Sequence, residues 1–255
     1  MERVKKYYKW IWLLLGGFLM ILLAAEDLEL EATLFALLYF GILFFWTSRW
    51  FFRQFRTLIQ LKKEKAKTEL IHLQSQVNPH FFFNTLNNLY GLVGKDTQKA
   101  QQLILKLSDM MRYSIYEGQE QFVSLNQEID YLQNYMELHK MRYHKNVDIE
   151  FVTDIDSEHY KVTPLLFIIL LENAFKHGVE DLRENAYVRL KLKGLDEIIE
   201  FTTENNFDKS ARSNTAGIGL KNLRRRLELV YPNKHTLNFN ETEDTYSAKL
   251  ILQTS

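Results

Sequence analysis

Pro164-Leu165-Leu166-Phe167-Ile168-Ile169-Leu170-Leu171-Glu172-Asn173-Ala174-Phe175-Lys176-His177-Gly178 reads as a helix with proline at its start and glycine at its end. Its first half is greasy enough for a core. Its second half is not, because Glu172, Asn173, Lys176 and His177 interrupt the apolar run. Asn173, Lys176 and His177 stand three and four apart and share a face at helical spacing. A carboxamide buried without a partner costs free energy. With a partner it can ligate Mg²⁺ through its oxygen, while Lys176 and His177 can meet phosphate charge.

Moving outward, the flanking segments alternate as strands. Val147–Val152 precedes the helix; Tyr187–Leu192 and Glu197–Thr202 follow it as a hairpin around Gly194-Leu195-Asp196. Gly217-Ile218-Gly219 opens a helix from Leu220 to Val230, and strands near Thr236–Phe239 and Tyr246–Leu252 come last. Gly217 and Gly219 let backbone amides approach an anion at a helix start, where the dipole favours negative charge. Antiparallel strands with helices on one face predict a two-layer α/β sandwich over 146–255.

Upstream lies a helical region, 54–145, containing Asn78-Pro79-His80-Phe81-Phe82-Phe83-Asn84. Leu70, Leu73, Val77 and Phe81 are spaced as one apolar face of a helix running through Pro79. A proline in a helix interior costs about 3 kcal/mol, and the adjacent His80 is what that defect would serve. Asn84 lies one turn on and could orient the imidazole. A second helix carries Leu103, Leu107, Met110 and Met111, with Gly118 as its C-cap. Ser124-Leu125-Asn126-Gln127 is a capping box opening a third helix with Ile129, Leu132, Tyr135, Met136 and Tyr143 on one side. Such stripes suit a helical dimerisation hairpin that becomes a four-helix bundle in a homodimer.

The first 53 residues read as a two-helix transmembrane anchor. Trp10–Ala25 and Ala32–Trp46, extended to Phe52 where Arg49 snorkels, are apolar and edged with Trp and Tyr. Arg3, Lys5, Lys6 and Lys9 precede the first span, Arg49, Arg53 and Arg56 follow the second, and an acidic Glu26–Glu31 lies between. The positive-inside rule places both termini in the cytoplasm, with membrane lipid as a partner. No cysteine is present, which excludes disulfides, thiolate metal sites and cysteine nucleophiles. Lys+Arg and Asp+Glu both number 32, so net charge gives no reason to expect direct nucleic-acid binding.

Three motifs in order, Asn78-Pro79-His80-Phe81-x-Phe83-Asn84, Leu171-Glu172-Asn173-Ala174-x-Lys176-His177-Gly178 and Gly217-Ile-Gly219-Leu220-x-Asn222-Leu223, resemble the LytS/YehU-type sensor histidine kinases from about Thr68 onward. The resemblance implies a Bergerat-type ATP-binding sandwich and a membrane sensor kinase of a two-component system. His80 would be phosphorylated by ATP, and the phosphoryl group passed to an aspartate of a response regulator, often one with a LytTR DNA-binding domain. By the same match Glu172 is the candidate general base and Asn173 the Mg²⁺ ligand. Lys176 and His177 would contact the triphosphate, and Gly217, Gly219 and Leu220 form the glycine box. One departure stands out. Where many kinases have Asp-x-Gly to accept from the adenine amine, this chain has Glu204-Asn205-Asn206, and the Asn205 amide oxygen would be the acceptor. That departure leaves a non-catalytic dimeric scaffold as the alternative.

Overall fold

The computed structural model describes residues 16–18, 29–74, 79–142, 147–180, 182, 185–208 and 218–254. Outside them lie the first apolar span apart from Gly16–Phe18, Gln76–Asn78, the side chain of His80, Tyr143, and 209–217 with Gly217.

Two compact units divide the chain, Met1–Lys65 and Ala66–Ser255. The first unit holds most of helix α1, Glu29–Gln74. Among the described residues this is the one helix long and apolar enough to cross a membrane, over Thr33–Ile71. Phe44, Phe45, Trp46 and Trp50 all lie exposed on it.

In the second unit, α2 (Pro79–Val93), α3 (Thr97–Ile115) and α4 (Leu125–Arg142) pack on one another. α1 is described to Gln74 and α2 from Pro79, and the helix expected to run through the proline falls on 75–78, outside the described residues. Asp96 caps α3 by accepting from the Lys99 N–H at 2.9 Å. Gly118 is no left-handed cap, since no glycine among the described residues has positive φ; it sits buried in a 3₁₀ turn, Glu117–Gln119, against Leu165.

The capping box forms as read. Gln127 Oε1 accepts from the Ser124 N–H at 3.0 Å, and Ser124 Oγ accepts from the Gln127 N–H at 3.3 Å. Ser124→Ala is expected to destabilise the protein by about 1 kcal/mol, read as a lower midpoint in urea unfolding with unchanged slope.

Strands β2 (Asp148–Ile155), β4 (Tyr187–Leu195), β5 (Ile198–Asn206), β6 (His235–Glu241) and β7 (Thr245–Gln253) form one sheet, ordered β2-β4-β5-β7-β6. Short strands β1 (Val123–Ser124) and β3 (Lys161–Val162) pair separately. Contrary to the all-antiparallel expectation, β2 runs parallel to β4. The connection between them carries α5 (Ile168–Ala174), a crossover element of the kind a parallel pair requires. The β4–β5 hairpin turns at Asp196-Glu197, both at positive φ (50° and 64°), as a two-residue primed turn demands. Gly194, expected at the turn, lies inside β4 facing the Tyr160 ring.

Alternation sets the two faces of the sheet. Val188, Leu190, Leu192, Ile199, Phe201, Ala248, Leu250 and Leu252 are buried beneath α5 and α6 (Ile218–Val230), whose Leu171, Leu223 and Leu227 are fully buried. The outer face carries charge pairs such as Lys249–Glu200 at 2.9 Å, which at such exposure add little stability.

Candidate nucleotide and phosphoacceptor site

Helix α5 begins at Ile168, one turn later than the proline suggested, and does not stop at Gly178. Pro164–Phe167 instead form a buried turn with Leu165 in the left-handed region, φ 56°. After Ala174 the helix widens into a π-wound segment, Phe175–Glu180. Bonding from i to i+5 puts more residues in each turn, so His177 stays near the line of Asn173 while Lys176 swings away. The burial agrees: Asn173 and His177 are half-buried, Lys176 exposed.

Gly178 is needed for approach, not capping. A Cβ there would lie 2.7 Å from Asn205 Cβ and Nδ2 and 2.9 Å from the Asn206 carbonyl oxygen. The end of the helix therefore rests directly on β5. Asn205 is 1% exposed. Its Nδ2 donates to the Asn206 carbonyl at 3.0 Å, while its Oδ1 is buried with no hydrogen-bond partner among the described residues.

Gly219, in the first turn of α6, packs on Ile169, where a Cβ would meet Ile169 Cγ2 at 3.6 Å. Ile169 lies one turn before Asn173 on the same face. The Glu-Asn helix and the glycine-box helix thus stand side by side, with Leu220 half-buried behind Gly219. Glu172 is half-buried toward α4, where its charge helps burial push the Tyr131 hydroxyl above its ordinary range.

The helix that begins Pro79-His80 reaches this region through its third residue. The Phe81 ring stacks on Tyr135 at 4.6 Å and His139 at 5.2 Å, both on α4. Phe175, two residues past Asn173, meets the same pair at 5.6 Å and 4.4 Å. Asn84 is half-buried one turn along α2.

A family model described as histidine kinase matches residues 68–147. The sensor protein LytS of Staphylococcus haemolyticus is 32% identical over 188 residues, covering 69% of this chain and 32% of that protein. LytS of Streptococcus mutans is 29% identical over the same shares. Residues 68–147 carry the histidine-kinase family pattern. The chain spans about a third of the length of these relatives. The histidine kinase domain of Erythrobacter litoralis EL346 superposes with a TM-score of 0.41 at 13% identity, over 75% of this chain and 96% of that one.

One cluster in the second unit escaped the sequence reading. Glu128, on α4, is fully buried. It accepts from the Leu165 N–H at 2.6 Å, the Leu166 N–H at 3.2 Å and the Tyr113 hydroxyl at 2.7 Å. Arg226, 1% exposed on α6, grips the far side of the same turn, donating to the Leu165 carbonyl at 2.8 Å and the Pro164 carbonyl at 2.5 Å. Burial pushes the Glu128 carboxyl up; Tyr113, the Leu165 amide and the Arg226 charge pull it back. Burial also holds Arg226 down to about 10. Burial and the Glu128 charge push the Tyr113 phenol far up, so it remains a donor. The signal was in the spacing: Leu125, Glu128, Leu132, Tyr135 and His139 form one stripe, with a carboxylate where an apolar residue belongs.

Proposed function

We propose that this chain is a membrane-anchored, dimeric sensor kinase that phosphorylates His80 with ATP and hands the phosphoryl group to an aspartate of a response regulator. The observation that carries the reading is the convergence on α4. The residue after His80 and the second residue after Asn173 pack on the same two rings, Tyr135 and His139.

In this reading a nitrogen of the neutral His80 imidazole attacks the γ-phosphorus of ATP. A nitrogen–phosphorus bond forms as the bond to the ADP oxygen breaks, and the imidazolium proton passes to Glu172. Asn84 orients the ring. Asn173 offers its carboxamide oxygen to Mg²⁺, which would neutralise triphosphate charge. Lys176, His177 and the Gly217–Leu220 segment take the phosphates. The buried, unsatisfied Asn205 oxygen is the acceptor for the adenine amine, its orientation set by the amide's donation to Asn206. The pairing of an orphaned acceptor with a glycine-only approach supports a catalytic nucleotide site over the scaffold alternative.

Phe83, Leu86, Tyr90 and Val93 are exposed at three-four-three spacing on α2, and Ile104, Met111 and Ile115 are exposed at seven-four spacing on α3. These stripes fit a second copy of the hairpin, giving the four-helix bundle. In the anchor, a side chain at Gly16 would run into the Tyr39 ring, which supports two packed spans; the flanking basic residues would place both termini in the cytoplasm. Arg49, Arg53, Arg56 and Lys63 fall on one side of α1 and would face anionic lipid. A LytTR-type regulator is the proposed downstream partner.

The test is incubation of the full chain in lipid vesicles with γ-labelled ATP and Mg²⁺. Acid-labile label is expected on the wild type. Asn173→Ala is expected to lose both label and Mg²⁺-dependent nucleotide binding. A wild type that binds ATP without taking label would favour the scaffold.

A further inference from the structure

The Glu128 cluster joins three elements that carry the proposed chemistry. Tyr113 sits near the C-terminal end of α3, the hairpin partner of the His80 helix. Leu165 and Leu166 lead into α5 with Glu172 and Asn173. Arg226 lies on α6, two turns beyond Gly219. A single carboxylate oxygen, Glu128 Oε1, receives both the hairpin's hydroxyl and the Leu165 amide.

We propose that Tyr113 is a positioning residue for phosphotransfer, its hydroxyl fixing the helical hairpin to the turn that sets the angle of α5. The inference rests on the kinase reading above. It is argued from three features. First, buried ionic groups are weak sources of net stability but demand one geometry, and here that geometry spans the hairpin, the turn and the glycine-box helix. Second, the turn contains a leucine held at φ 56°, a conformation costly for a non-glycine residue unless its surroundings impose it. Glu128 and Arg226 impose it by taking the amides from one side and the carbonyls from the other. Third, Glu128 is already bonded to two backbone amides without Tyr113. The hydroxyl adds a tie from outside the turn, and it comes from the hairpin.

A purely structural tyrosine and a positioning one differ in what its loss changes. Tyr113 is half-buried, and Tyr113→Phe removes one oxygen while keeping the ring against Tyr131, 5.0 Å between centroids. The hairpin then loses its registration against α5 and the turn opens more often, while the side chains proposed to contact the nucleotide are unchanged. Autophosphorylation at saturating ATP is expected to slow about fivefold or more, with the KM for ATP within about twofold.

Ser114→Ala is the control. It removes the neighbouring bond between α3 and α4, Ser114 Oγ to Tyr131 Oη at 3.2 Å, without touching Glu128. Its rate should stay within about twofold of wild type. Both variants and the wild type are assayed as full chain in vesicles, and amide hydrogen exchange across Leu165–Ala174 is followed without ATP. Faster exchange there in Tyr113→Phe alone, with the rate loss at constant KM, supports the coupling. Unchanged exchange in Tyr113→Phe overturns it, as does an equal rate loss in both variants. A wild type that takes no label sinks the kinase reading, and the exchange comparison still decides whether Tyr113 holds the turn.

Discussion

His80→Gln is expected to reduce acid-labile phosphate on the protein to background while ATP binding persists. Glutamine is close to histidine in length, but its amide nitrogen donates its lone pair to the carbonyl and is no nucleophile. The nitrogen–phosphorus bond proposed at His80 breaks in acid, unlike phosphate esters of serine, threonine or tyrosine, so acid lability identifies the class of acceptor. The substitution should spare the fold. Helix α2 is started by Pro79 and held by the buried Phe81, on either side of the changed residue. It should also spare the nucleotide, whose proposed contacts lie on α5, β5 and α6. Acid-labile label persisting in His80→Gln would move the acceptor elsewhere. His177, half-buried beside Asn173, would be the next to replace; His139 is only 2% exposed among aromatic rings and is a poor nucleophile for that reason.

What the sequence revealed and what it hid divide along a physical line. The apolar content of Phe167–Leu171 and the alternation in β4, β5 and β7 are local patterns, and the elements they predicted formed. The start of α5 was misplaced because Pro164–Phe167 is shaped by Glu128 and Arg226, which bond Leu165 from 37 residues before it and Pro164 from 62 residues after it. At Pro164 the proline rule predicted a helix start that tertiary contacts overrode. Strand direction was illegible for a different reason: alternation looks the same whether a neighbour runs parallel or antiparallel, so the β2–β4 pairing needed the crossover through α5. Among the proposed site residues, Asn173, His177 and Gly219 stood out in the sequence because polar or glycine residues break an apolar pattern. The face expected for Lys176 was off because a π-wound turn cannot be counted at 3.6 residues.

Gly178 was legible as a constrained position but for the wrong reason, and Gly178→Ala tests the right one. Had it been a left-handed cap, alanine would have cost backbone strain and little else. Its φ is not positive. The obstacle is instead β5: a methyl group would stand 2.7 Å from Asn205 Cβ and 2.9 Å from the Asn206 carbonyl oxygen. β5 lies between β4 and β7 and is hydrogen-bonded along both edges, so it cannot retreat. The end of α5 must lift, or Asn205 must rotate away from Asn206. Overpacking of this kind costs about 1–3 kcal/mol, so a clear fall in Tm is expected. Rotation displaces the Asn205 oxygen, the proposed adenine acceptor, and lifting removes the helix end packed against it, so ATP affinity should fall about tenfold or more. Titration with a fluorescent ATP analogue, beside thermal unfolding, separates the two effects. A loss of Tm with unchanged affinity would remove Asn205 from the adenine contact and leave Gly178 a packing glycine. A loss of affinity that Asn205→Asp does not share would instead place the requirement on an acceptor oxygen held against the helix end, which either an amide or a carboxylate can supply.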